Sequence, residues 1–246
     1  MANVRVGDID LSLFLPPGNW DYLYPPAEGD PQAQVDFYYG KTPLQYEHPT
    51  YDASKKKLTM ICPIDNDGRP WGFSEYDLRR NVAFLVSIIS KKFWFIQAAG
   101  FIYNNKGIML VGTSESDKIE LISLFEDFQL LDDDLLFTDG HIMKRVSNTS
   151  IEYPKPRLTH DRTEHPVDYV FLLNKEHQPN YLIQKKEQKI PYEIAFDDSL
   201  PDNFFELYKE KPPVTFSCPV YEVGTKNEPI KSKELIESVI RTPGRK

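Results

Sequence analysis

Gly112 and Lys118 bracket the stretch Thr113-Ser114-Glu115-Ser116-Asp117, and an apolar run, Ile108–Val111, leads into it. That is the skeleton of a phosphate-binding loop, G-x-x-x-x-G-K-[ST]. In such a loop glycines let backbone N–H groups close around phosphates, the lysine reaches the outer phosphates, and a hydroxyl serves Mg²⁺. Two working parts are replaced here: Asp117 stands at the second glycine and Ile119 at the Ser/Thr. Asp117 brings a negative charge toward phosphate oxygens, a repulsion of about 1 kcal/mol at ~4 Å in water and about 4 kcal/mol at a partly shielded surface. Ile119 has no oxygen to offer a metal. Lys118 and the free N–H groups of a helix start still suit an anion. Gly112, Thr113, Ser114, Ser116 and Lys118 are therefore the candidate nucleotide-binding residues, for ATP with Mg²⁺ weakened by Asp117 and Ile119. Asp132-Asp133-Asp134 follows between two apolar runs. It reads either as a solvated turn or as acids for Mg²⁺ binding and proton abstraction.

The elements that must position these groups are legible in outline. Ile108–Val111, the loop and Ile119–Phe128 give the order strand, turn, helix, with Phe93–Ala99 as a buried strand before them. A turn is expected at Asn104–Gly107, and strands at Leu135–Phe137, His141–Val146, Tyr169–Leu173 and Tyr181–Gln184. Val214–Val223 reads as an edge strand broken by Pro219. Ser232–Arg241 reads as a terminal helix capped by Ser232. Glu75–Ser90 is an amphipathic helix with Ser74 as its cap and Lys91-Lys92 at its negative pole. Residues 1–70 form a mostly β region, with strands at Ile9–Leu15, Val35–Tyr39 and Leu58–Ile64; residues 71–246 form the larger α/β core. His160, Asp161, Glu164 and His165 gather metal-capable groups, but the histidines lack helical i, i+4 spacing, so a surface loop is the simpler reading.

The net charge of −8 speaks against a nucleic-acid partner, which needs clustered Lys and Arg. No apolar stretch approaches the ~18 residues of a membrane span, and no signal-peptide core is evident. The cytoplasm is the expected location, and Cys62 and Cys218 are expected to be free and buried.

Three segments together resemble the core of the HPr serine kinase family and its phosphoenolpyruvate carboxykinase-like relatives. They are Phe95–Gly100, Lys106–Ser114 and Leu130–Gly140. In that family a strand bearing His-Ala precedes a Gly-x-Ser-Gly-x-Gly-Lys-Ser loop, and an aspartate pair follows within Leu-x-Asp-Asp. Leu131-Asp132-Asp133-Asp134 fits the last pattern and sets the pair at Asp133 and Asp134. The resemblance spans about residues 95–175. It implies an α/β fold with a P-loop-containing HPr kinase-like core. It also implies an ATP-dependent phosphotransferase acting on a serine-like hydroxyl of a peptide or protein, with Asp133 and Asp134 catalytic and Asp133 at the metal. The departures are Gln97 for the histidine, Glu115 and Asp117 for loop glycines, and Ile119 for the hydroxyl. They leave open a pseudokinase-like binding or scaffold protein, or a different enzyme using the same pocket without nucleotide.

Overall fold

The computed structural model describes residues 2–14, 24, 26–40, 49–63, 75–112, 118–146, 163–177, 181–190, 207–208, 210–226 and 228–241, with backbone alone at 38–40, 62–63 and 75–77. Ser74, residues 113–117 and residues 160–161 lie outside this set. The chain divides into two compact units. One is Met1–Phe95 with Val146–Thr149 and Ser199–Pro212; the other is Ile96–Arg145 with Ser150–Asp198 and Pro213–Lys246. The fold is mixed α/β, built on two sheets and mostly of strands. Among the described residues no helix is long and apolar enough to cross a membrane.

The first unit holds β1 (Ala2–Val6), β2 (Ile9–Phe14), β3 (Ala33–Gly40), β4 (Thr50–Asp52), β5 (Lys57–Pro63) and α1 (Glu75–Ile89). Its sheet runs β1-β2-β3-β5-β4, with β2, β3 and β5 parallel. Leu13, Val35 and Leu58 align across these three strands and are buried, as period-two alternation requires. Buried acids are paired: Asp10 takes two 2.7 Å bonds from Arg5, and Asp36 meets Lys57 at 2.5 Å. The end of α1 is served from far along the chain. Lys211 donates to the carbonyls of Ser87 (2.7 Å), Ser90 (3.0 Å) and Phe93. Lys91 and Lys92, expected at this pole, are exposed beyond the helix. Orphan carbonyls of a final turn need donors, and here a tertiary contact supplies them.

The larger sheet comprises β6 (Trp94–Tyr103), β7 (Lys106–Val111), β8 (Gln129–Asp132), β9 (Leu135–Thr138), β10 (Ile142–Arg145), β11 (Glu164–Pro166), β12 (Tyr169–Asn174), β13 (Leu182–Gln184) and β14 (Val220–Gly224). Its order is β11-β10-β9-β6-β7-β12-β14-β13, with β8 also on β6. Strands β7, β12 and β14 are parallel. Two helices, α2 (Lys118–Ser123) and α3 (Pro229–Arg241), pack together. Leu121 and Ile122 of α2 and Ile236 and Ile240 of α3 share a core with Phe101, Leu110, Phe171 and Val223 from one face of the sheet.

Several expectations are corrected. The helix after the loop stops at Ser123 instead of Phe128. Residues Leu124 and Phe125 make tighter turn bonds, Asp127 is left-handed at φ 55°, and Phe125 packs 5.1 Å from both Phe101 and Tyr103. Strand β14 begins after Pro219 and lies inside the sheet between β12 and β13, so it is no edge. Ser232 does not cap α3; it is buried in its first turns, donating to Gly224 O at 2.9 Å. Strands β1, β4 and β8 lie outside the expected elements, and Glu164 and His165, expected in a surface loop, stand on β11. Cys218 is free and buried, and burial pushes its thiol up to about 12; the Cys62 side chain lies outside the description.

The β6–β7 hairpin turns on Asn104 and Asn105, at φ 51° and 59°, a pair of positive values that asparagine tolerates. Gly107 is therefore a strand residue, and its lack of a side chain serves packing. A Cβ there would lie 1.9 Å from the Pro166 carbonyl oxygen and 2.7 Å from His165 Nδ1. A backbone oxygen cannot swing aside, so Gly107→Ala must push β11 off β7. Chemical denaturation should show a loss of about 2–3 kcal/mol, the upper range of overpacking. A change below about 0.5 kcal/mol, the scale of surface substitutions, would show that this approach is not tight.

Candidate functional site

The site forms at the carboxyl end of β7. Gly112 follows the strand directly. One step beyond the Ala98–Val111 and Leu172–Val111 pairs, it is flanked by Gln97 of β6 and Leu173 of β12. Both ends of the loop are described, and they meet. The Lys118 ammonium donates to the Gly112 carbonyl at 3.1 Å and pairs with Asp134 Oδ1 at 3.1 Å. The Lys118 side chain is only 4% exposed. A buried ammonium must be paired and hydrogen-bonded, or it would shed its proton. Thr113, Ser114 and Ser116, the other proposed nucleotide contacts, lie outside the described residues, as do Glu115 and Asp117.

The three acids divide their tasks. Asp132 ends β8 opposite Gly100, and its Oδ1 accepts the Asp133 amide at 2.9 Å. Longer contacts of 3.5 Å reach the amides of Asp134 and Leu135. A side chain that gathers the amides following it is an Asx-type turn, so Asp132 shapes the β8–β9 connection. The Asp134 carbonyl accepts the Ala98 amide at 3.0 Å, which fixes this turn beside β6. Arg145, buried on β10, donates from Nε to the Leu131 carbonyl and braces the turn from behind. Sequence gave no signal for Arg145, because its partner is a main-chain carbonyl on another strand.

Asp133 is the anomalous member. It is buried, and its Oδ1 has no hydrogen-bond partner among the described residues. Burial first, then the charges of Asp132 and Asp134, push its carboxyl up to about 7. A solvated turn does not produce such a group. Lys118 and Asp134 meet at Gly112, and Asp133 stands next to Asp134 in the turn. Gln97, at the position where the resembling family carries histidine, is buried on β6 beside them.

The fit to Mg²⁺ can be tested on these residues. The orphaned Asp133 oxygen is a donor that a cation would complete, whereas Ile119 supplies none. Among the described residues no group of three or more His, Cys, Asp or Glu is placed to hold a metal. Mg²⁺ commonly takes one or two carboxylates and fills its other positions with water and substrate phosphates. On the described residues Mg²⁺ would find at most one or two carboxylates, and its other positions would fall to water and a phosphorylated ligand. His165 bonds from Nδ1 to the neighbouring Pro166 carbonyl on β11, and its expected companions His160 and Asp161 are outside the description.

The raised Asp133 carboxyl sets a sign for stability against pH. Unfolded, it titrates near 3.8; folded, near 7. Between these values the folded protein holds a proton that the unfolded chain has lost, so this group's contribution falls as pH rises through the window. At about 1.4 kcal/mol per unit the cost reaches roughly 4 kcal/mol at most. Asp133→Asn should therefore be more stable than the wild type at pH 8 and nearly equal to it at pH 4, measured by urea unfolding. A difference that does not change with pH would contradict the burial of a titrating carboxyl.

No protein-family model matches the chain, and no curated protein does. Among solved structures, the Hpr(Ser) kinase/phosphatase from Coxiella burnetii shows a distant likeness. It has a TM-score of 0.37 and 16% identity, over 61% of this chain and 97% of that one.

Proposed function

We propose that this protein is a divergent ATP-dependent phosphotransferase whose acceptor is a serine-like hydroxyl on a peptide or protein. The observation that carries the reading is Asp133, a buried carboxyl with an unpartnered oxygen and a proton affinity near neutrality, set beside the Lys118–Asp134 pair. A proton acceptor works best when its pKa lies near the operating pH. The nucleotide's phosphates would lie over Gly112 and Lys118. The acceptor oxygen attacks the terminal phosphorus, the bond to the bridging oxygen breaks, and ADP leaves. Asp133 takes the hydroxyl proton. Asp133 and Asp134 are the residues that would hold Mg²⁺, which would offset charge on the transferring phosphoryl group. For this to happen Lys118 must exchange its contact with the Gly112 carbonyl for phosphate oxygens.

That requirement is also what favours a second reading, a pseudokinase-like binding protein. Lys118 is already satisfied on two sides, and Asp117 and Ile119 both weaken a nucleotide complex. Under that reading the Lys118–Asp134 pair is an internal tie.

Thermal unfolding with millimolar ATP and Mg²⁺ separates the two. Ligand binding to the native state raises the midpoint, by about 2.7 kcal/mol of stability at a hundred times Kd. The phosphotransferase reading expects a rise in the wild type. It also expects Asp133→Asn to lose phosphoryl transfer from ATP to added peptides by about 10²–10⁴-fold, the range of general-base contributions. A rise without transfer in the wild type would select the pseudokinase-like reading, and no rise at all would remove the nucleotide.

A further inference from the structure

The turn that joins β12 to β13 belongs to the same rim of the sheet as Gly112, on the other side from the acids. β12 ends at Asn174, one residue past Leu173, the neighbour of Gly112. The turn is held by three amides at the end of β14: Gly224 N donates to Tyr181 O (2.8 Å), Thr225 N to Asn174 O (3.0 Å) and Lys226 N to His177 O (3.1 Å). Beneath it, Glu222 accepts from Asn174 Nδ2 at 3.0 Å and from Lys185 Nζ at 2.8 Å. The Asn174 side-chain oxygen takes the Glu176 amide at 2.9 Å. On this support the His177 and Tyr181 rings stack, with centroids 4.2 Å apart and planes at 23°. His177 is exposed. Tyr181 is half-buried, so the pair reaches solvent on its His177 side.

Direction decides what such a pair is for. Strands are spaced about 4.8 Å apart, so the ends of β12 and β14 lie roughly 5–10 Å along the rim from Gly112. Asp133 and Asp134 lie the opposite way, toward β6 and β9. A nucleotide whose reacting phosphate faces the acids must run its other end away from them, across the carboxyl ends of β12 and β14. Open α/β sheets bind ligands in that crevice. We propose that the stacked His177–Tyr181 pair is the platform for the base of the nucleotide. This rests on the phosphotransferase reading above, which supplies the phosphate end; the platform fixes where the base goes. A ring face offers stacking to any base, so the site selects for a nucleotide over a bare polyphosphate and discriminates weakly among bases.

The test compares two probes, Mg-ATP and Mg-tripolyphosphate, by calorimetric titration of the full chain. His177→Ala and Tyr181→Ala should each weaken ATP by about 5–100-fold, the range that base–aromatic stacking gives on alanine substitution, and leave tripolyphosphate unchanged. His177→Phe, which keeps a ring, should retain ATP affinity within about 2–3-fold, the usual context spread. Unchanged ATP affinity in both alanine variants overturns the platform. Equal weakening of both probes overturns it too, because the turn would then be acting on the phosphate end. If tripolyphosphate binds the wild type as tightly as ATP, the phosphate site stands and the platform falls. If neither probe binds the wild type, the phosphate site itself is wrong and the platform falls with it.

Discussion

One buried positive charge holds the site together. Lys118 has almost no water around it, so its ammonium must find oxygens within the protein. It finds the carbonyl that ends β7 and the carboxylate that opens β9. Those contacts tie three things at once: the start of α2, the end of β7 and the β8–β9 turn. Breaking one partner of such a pair leaves an uncompensated charge and typically costs 3–5 kcal/mol. The apolar underside of α2 adds to the tie, since Leu121, Ile122 and Phe125 pack against the sheet. Asp132 and Arg145 then hold the turn from its other side through main-chain groups.

Three acids are adjacent at the β8–β9 turn, with Lys118 paired to Asp134 and Arg145 bonded to the Leu131 carbonyl. Burial, then the charges of Asp132 and Asp134, raise the Asp133 carboxyl to about 7. A nucleotide would add further negative charge to this corner. Under the phosphotransferase reading it would therefore arrive with a cation. The two replacements in the loop act in the same direction: Asp117 adds charge and Ile119 removes a metal ligand.

The parallel trio β7, β12 and β14 gives the site its orientation. All three end on one rim, and the antiparallel β6 brings Gln97 to that rim from the other direction. Close backbone approaches keep the trio and its neighbours in register. Gly107 lies against the Pro166 carbonyl, and Gly140, at φ +88°, lies against Thr215 O. These contacts sit away from the chemistry, yet they set where each strand ends, and strand ends are where the candidate residues stand.

The sequence by itself determined the local order of the core. Apolar runs and an Asn-Asn turn placed β6, the hairpin and β7, and the start of α2 follows the glycine–lysine spacing, because these depend on neighbours within a few residues. It also determined which acids to inspect, since Asp132–Asp134 are adjacent in the chain. It did not determine their roles. Asp132 becomes a turn former and Asp133 a neutral-range acid only through burial, which adjacent residues do not reveal. Contacts between distant segments were equally hidden: Lys211 at the end of α1, Arg145 behind Leu131, and Lys118 on Asp134. The helix after the loop was overestimated because periodicity continues to Phe128, whereas packing of Phe125 on Phe101 and Tyr103 ends it at Ser123. β14 was placed at an edge because Pro219 removes a donor; the strand starts one residue later and is covered on both sides. Periodicity and propensity are local properties. Which buried charge meets which partner is a property of the closed sheet, and the tertiary structure alone decided it.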